Sequence, residues 1–172
     1  MRTPHIDTDE QECALWKAYL LAKRQMEIVY GVSMNFYQLD RDLELAESEL
    51  PERLRSLLLQ GRNLLADYEA FRAEIDAAWH SAAWAYVGYV ADLHYGDQVE
   101  VSAHGAKVIF HCRQAVAEDA DPSDFRISGP VARKDGSPGK RSYDTANLFS
   151  DDWRLVGRAR AAWVEELREF HP

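Results

Sequence analysis

Asp76 and His80 are the residues whose types and spacing come closest to a catalytic or metal-binding pair. They lie four positions apart in a segment with helical spacing, so both side chains are expected on one edge of a helix. A carboxylate in this position can orient an imidazole or share a metal ion with it. His94 would lie about 21 Å from His80 along the helix, too far to bind the same ion. The pair is kept as one hypothesis, a small hydrolase or metal-dependent enzyme.

Other arrangements that carry chemistry are missing from the sequence. There is no HExxH, CxxC or GxSxG pattern. Lys140 follows a glycine, as in a phosphate-binding loop, but the other glycine and the hydroxyl residue of that motif are replaced by Lys134 and Arg141. Cys112 is expected in the core. We therefore predict no catalytic residue, no metal and no cofactor, and the sequence favours a protein that is not an enzyme.

Positive charge is concentrated in one part of an acidic chain. The net charge is −9, yet residues 126–160 contain eight Lys and Arg against four Asp and Glu. Several cations on a Gly- and Pro-rich segment can clamp phosphates or an acidic protein. Nucleic-acid contact is therefore an alternative function, through the loop 126–141 and the helix expected after it. The residues for this contact would be Arg133, Lys134, Lys140, Arg141, Arg154 and Arg158, together with Arg160.

Negative charge lines a predicted helix over 33–49. Asp40, Glu44 and Glu47 fall on one edge of it, and a row of carboxylates suits a basic partner surface. Trp16 and Trp84 lie off the main apolar stripes, and exposed tryptophans often anchor interfaces. The favoured function is a small acidic interaction module, an inhibitor, immunity-type protein or assembly subunit, with a protein partner. A homo-oligomer would use the tryptophans equally well.

Helical periodicity dominates the first half of the chain. Thr8 and Gln11 have capping-box spacing and predict a helix from about residue 7, which Gly31 would end. After the helix over 33–49, Pro51 opens a third helical segment. Its apolar spacing continues through Leu64 and Leu65 into a stripe that is expected to form the core and is wide enough to pack on two neighbours. The stripe contains Tyr68, Phe71, Ile75, Trp79, Ala82, Tyr86, Val90 and Leu93.

The period changes from 3.6 to 2 after Gly96, which predicts strands. If residues 104 and 105 form the hairpin loop, Val101 pairs with Val108 and Val99 with Phe110. Phe125 and Ile127 suggest a short third strand. Glycines and prolines then predict a long loop over 129–143. Ser150, followed by two aspartates, predicts the start of the last helix.

Together these patterns predict an α+β fold in a single globular domain over 1–172. Its helical part would span 7–95, and a hairpin or three-stranded meander near 97–128, the basic loop and a C-terminal helix would occupy 96–172. The whole would be mostly a helical bundle with a small antiparallel sheet packed on it. Two cysteines and no apolar run of membrane length favour a cytoplasmic protein that does not enter a membrane.

Overall fold

The computed structural model describes residues 3–46, 52–103, 106–117 and 121–169; the side chains of 32–59 and of 61, 62, 65, 103, 141, 142 and 169 lie outside this description. Its fold is mixed α+β, as predicted, with three helices and six strands in the described residues. In chain order they are α1 (Glu10–Ala46), α2 (Glu52–Ala91), β1 (Gln98–Ala103), β2 (Ala106–His111), β3 (Gln114–Ala117), β4 (Phe125–Ala132), β5 (Pro138–Asn147), β6 (Trp153–Gly157) and α3 (Ala161–Glu169). The chain forms two compact units, one of Met1–Tyr19 with His80–Pro172, the other of Leu20–Trp79. We call the second unit the arm.

Two long helices replace the three helical segments that the sequence predicts. The cap of α1 is Asp9, whose carboxylate accepts the backbone N–H groups of Gln11 and Glu12 at 3.0 Å each. The predicted stop at Gly31 is wrong, because α1 continues through it to Ala46. One glycine inside a helix costs only about 1 kcal/mol relative to alanine, which packing elsewhere along the helix easily offsets.

The β1–β2 hairpin has the predicted register, with Val101 opposite Val108 and Val99 opposite Phe110. The sheet around it is larger than the predicted three-stranded meander. In the described residues its order is β3-β4-β2-β1-β6, and β5 pairs with β4. The predicted third strand exists as β4, which pairs antiparallel with both β3 and β5. A mostly helical bundle is therefore only part of the architecture.

The long loop predicted over 129–143 is wrong, since most of this segment belongs to β4 and β5. Its glycines are needed for close backbone approach: a Cβ on Gly129 would lie 1.7 Å from the carbonyl oxygen of His111, and one on Gly139 would lie 2.4 Å from that of Val131. Only a short turn separates the strands. Gly136 adopts a φ of +83° there, which favours glycine.

The predicted helix start at Ser150 is also wrong. Residues 153–157 form β6, which pairs with β1 and places Leu155 opposite Val99. Helix α3 follows at Ala161, and the carbonyl of Arg160 accepts the N–H groups of Trp163 and Val164. Asp151 instead closes a turn, since its carboxylate accepts the N–H of Asn147 at 2.7 Å. Residues 150–152, which resemble a helix N-cap in sequence, therefore form a turn before a strand.

The core of the unit that contains the sheet is aromatic. Trp16 stacks on Tyr19 with ring centroids 5.2 Å apart, and Tyr86 and Phe125 close the cluster. Trp16 is 5% exposed, so the prediction that it offers a contact surface is corrected. Cys112 is buried, as predicted, and burial, with a smaller contribution from the charge of Asp97, raises the pKa of its thiol.

Candidate interaction surface on the arm

The arm consists of two antiparallel helical segments. Glu12 near the start of α1 is hydrogen-bonded to Tyr86 near the end of α2, and Val29, further along α1, is hydrogen-bonded to Tyr68, earlier on α2. The two helices therefore run antiparallel. In the arm the Tyr68 hydroxyl donates to the carbonyl of Val29, and the Tyr30 hydroxyl donates to Asp76 at 3.0 Å. These polar contacts fix the two segments side by side.

Among the described side chains of the arm, four large aliphatic or phenyl side chains are at least half exposed to solvent. Leu21 and Ile28 lie on α1, and Leu64 and Phe71 lie on α2; their exposed fractions range from 50% to 63%. Both pairs are seven positions apart, so each forms a row along one edge of its helix. We call these four residues the arm row. The sequence predicts Phe71 in the core, and this prediction is wrong, since its side chain is 50% exposed.

The two halves of the arm row lie on the same side of the arm. On α1, Leu21 and Ile28 each precede a buried residue, Ala22 and Val29, by one position, a rotation of about −100°. On α2, Leu64 and Phe71 are rotated by about −40° and −60° from Tyr68, which contacts α1. In a pair of antiparallel helices, side chains rotated in the same sense about each helix axis, away from the facing helix, point to the same side of the pair. The arm row is therefore one surface.

Charged residues of opposite sign flank the two halves of this surface. Arg24 lies between Leu21 and Ile28 on the α1 edge, at helical spacings of three and four. Its guanidinium is exposed and 3.5 Å from Glu27. On α2, Asp67 and Glu74 each follow a member of the arm row by three positions. The α1 edge is thus basic beside its apolar residues, and the α2 edge is acidic.

The other predicted partner-binding residues give a mixed picture. Asp40 and Glu44 belong to α1, but their side chains, and all of Glu47, lie outside the described residues. Trp84 is half-buried and packs edge-on against Tyr95, with ring centroids 6.1 Å apart. Its contact role stays a prediction.

Three of the predicted nucleic-acid-binding cations contact carboxylates of the same chain. Arg133 lies 3.1 Å from Glu166, and Arg154 lies 3.0 Å from Glu100. Hydrogen bonds from Arg154 and Lys107 lower the pKa of the Glu100 carboxyl.

Arg158 has the most complete set of partners, since it reaches Asp92 at 2.5 Å and the buried Asp97 at 2.9 Å. Lys134 and Lys140 are exposed, and the side chain of Arg141 is not among the described ones. Among the described side chains of this set, Arg133, Arg154 and Arg158 are thus engaged by carboxylates of the chain, and the nucleic-acid contact stays a prediction.

The predicted catalytic pair shows a structural use for its carboxylate. Asp76 accepts the hydroxyl of Tyr30, whose pKa is raised by burial and then by this hydrogen bond. His80 is an exposed residue of the other unit. In the described part of the chain, no group of three or more His, Cys, Asp or Glu residues could hold a metal ion.

A cleft of about 620 Å³ in the unit that contains the sheet is lined by carboxylates that sequence analysis missed. Glu12, 4% exposed, accepts the backbone N–H of His5 at 3.1 Å and the Tyr86 hydroxyl at 3.2 Å. Asp9 accepts the Tyr89 hydroxyl at 2.8 Å. The hydrogen bond from the Glu12 N–H, followed by the one from Tyr89, lowers the Asp9 pKa. These carboxylates attach the segment before α1 to the two helices.

His111 is a second buried polar residue. Its Nδ1 lies 3.3 Å from the carbonyl of Gly96, its Nε2 lies 3.0 Å from the carbonyl of Gly136, and Trp163 packs edge-on against the ring. Burial lowers its pKa, against a smaller opposing effect of the two carbonyls. The imidazole thus connects three backbone segments, a role that the alternation of the β2 sequence could not reveal.

Comparison of the chain with protein-family models, curated proteins and solved structures finds no match. Among the helices of the described residues, none has both the length and the apolar character needed to cross a membrane.

Proposed function

We propose that this protein is an interaction module that binds a protein partner through the arm row. The observation that carries the proposal is the exposure of four large apolar side chains on one side of a two-helix arm. Single exposed apolar residues are common, whereas aligned ones with polar edges are typical of contact surfaces. The acidic residues Asp40, Glu44 and Glu47 stay in the proposal as further contacts.

The polar groups outside the arm row support its role as the binding surface, because they contact other groups of the same chain. The carboxylates of Glu12 and Asp9 and the imidazole of His111 are engaged by groups of this chain. Arg133, Arg154 and Arg158 are held by carboxylates in the same way. These contacts stabilise the fold, so the arm row remains the surface with the clearest need for a partner.

The test is site-specific photocrosslinking in the native host. A photoreactive phenylalanine replaces Ile28 in one variant and Ala73 in the control. Ala73 is exposed and two positions from Phe71 in sequence, but it is rotated about 160° away from it around α2. We expect a protein adduct, identified by mass spectrometry, from position 28 and a much weaker one from position 73. Equal labelling at both positions, or none at either, would overturn the proposal.

A further inference from the structure

We infer that the partner of the arm row is a second copy of this chain, which rests on the proposed function. In the complex the α1 half of the arm row of one copy packs on the α2 half of the other. A twofold axis along the arm then repeats the contact, so that two arms form a four-helix bundle. Such an interface is isologous, because the same surface of each copy is buried.

The spacing of the apolar residues supports this pairing. Leu21 and Ile28 are separated by seven positions, as are Leu64 and Phe71. Seven residues are close to two helical turns, the repeat at which helices in bundles mesh along their length. Phe71 also lies at nearly the same height along the arm as Ile28, since Tyr68 contacts Val29 and Arg72 covers Tyr30 at 4.8 Å. Ile28 of one copy therefore meets Phe71 of the other.

The width of the α2 stripe supports a second neighbour for this helix. Tyr68 contacts α1 directly, whereas Phe71 and Leu64, about 40–60° to one side of it, remain exposed. A stripe of this width suits packing against two helices. The α1 segment of another copy can fill the second position without rearrangement of the arm.

Charge favours this arrangement over one in which each α1 packs on its own symmetry mate. When α1 of one copy packs on α2 of the other, the basic edge at Arg24 faces the acidic edge at Glu74, and the twofold symmetry forms this contact twice. Packing α1 on α1 would instead bring Arg24 toward Arg24 of the other copy. Packing α2 on α2 would bring the carboxylates of Asp67 and Glu74 in the two copies together. Like charges in apposition disfavour both alternatives.

The experiment measures the mass of the purified full chain by light scattering across a concentration series. We expect the mass to rise from 19.7 kDa toward twice that value at micromolar concentrations. Ile28→Glu, which occurs twice in the dimer, should raise the dissociation constant by about 100-fold or more. The control Ala73→Glu adds the same charge at an exposed position on the opposite side of α2 from Phe71, and it should dimerise as the wild type does. Circular dichroism checks that both variants stay helical.

Charge exchange tests which helices meet. Arg24→Glu alone and Glu74→Arg alone should each weaken the dimer, and the double variant should restore it. A double variant no better than the single ones would overturn the stacking of α1 on α2.

A wild-type chain that stays monomeric throughout the series, or an Ile28→Glu variant that dimerises unchanged, would overturn self-association. In that case a crosslink from position 28 to a different protein would leave the proposed function standing. An adduct between two copies of this chain would support both.

Discussion

Tyr19 shows how one hydroxyl joins a helix to the sheet. Its oxygen accepts the backbone N–H of Ala117 at 2.8 Å in the core, at the end of β3. Tyr19→Phe would leave that buried N–H without an acceptor, at a cost of about 1–3 kcal/mol. Chemical denaturation should show this loss of unfolding free energy.

The matched control for this substitution is Tyr143→Phe. It removes an exposed hydroxyl that accepts from Arg113, and it should change stability by less than about 0.5 kcal/mol. Equal effects of the two substitutions would contradict the importance of the buried contact.

His111 makes the stability of the fold depend on pH. Because burial lowers its pKa in the folded state, the unfolded chain binds a proton near pH 6.5 that the folded chain does not. The contribution of neutral His111 is therefore complete above that pH and is lost as the pH falls below it. We expect the melting temperature of the wild type to fall between about pH 7 and pH 5.

The variant His111→Asn separates this effect from that of the other titratable groups. It should be less stable at pH 7 but show a shallower fall with pH. An unchanged slope in His111→Asn would show that other groups set the pH dependence.

At the scale of elements, the contact between β4 and the end of β2 depends on a glycine. A methyl group on Gly129 would collide with the backbone of His111, which cannot move aside as a flexible side chain could. Gly129→Ala should therefore lower the unfolding free energy by about 3 kcal/mol or more, or prevent folding.

The control for this prediction is Gly31→Ala in α1. A Cβ there would meet nothing within 4 Å, so alanine should stabilise the helix by up to about 1 kcal/mol. Thermal and chemical unfolding measure both variants. A Gly129→Ala variant as stable as the wild type would contradict the close approach of the two strands.

The elements that the sequence predicts correctly are those with local causes. The β1–β2 register follows from alternation on both sides of a short loop, and no distant contact is needed to fix it. The glycine composition around Gly129 and Gly139 predicts a loop, but the reason for glycine lies across the sheet, in the backbone of the neighbouring strands at His111 and Val131. The segment 153–157 has only five residues of alternation, too few to outweigh the cap-like residues before it.

The candidate surface was only partly predictable for a related reason. A helical stripe identifies apolar residues but not how many neighbours the fold supplies, so the sequence predicts Phe71 in the core although it is exposed. Trp16 lies off the stripe, which predicts a surface position, although three aromatic rings from three elements, those of Tyr19, Tyr86 and Phe125, enclose it. The buried carboxylate of Glu12 gave no sequence signal, since its partners His5 and Tyr86 come from separate segments.

At the scale of the whole molecule, the unit that contains the sheet is assembled from two stretches of chain separated by the arm. Tyr19 and its partner Ala117 are 98 positions apart. At about 5–20 residues per second, a ribosome needs roughly 5–20 s to synthesise the chain between them. During that interval the aromatic side chains of the nascent N-terminal helix have no sheet to cover them, and they would be a natural target for chaperones that act during translation.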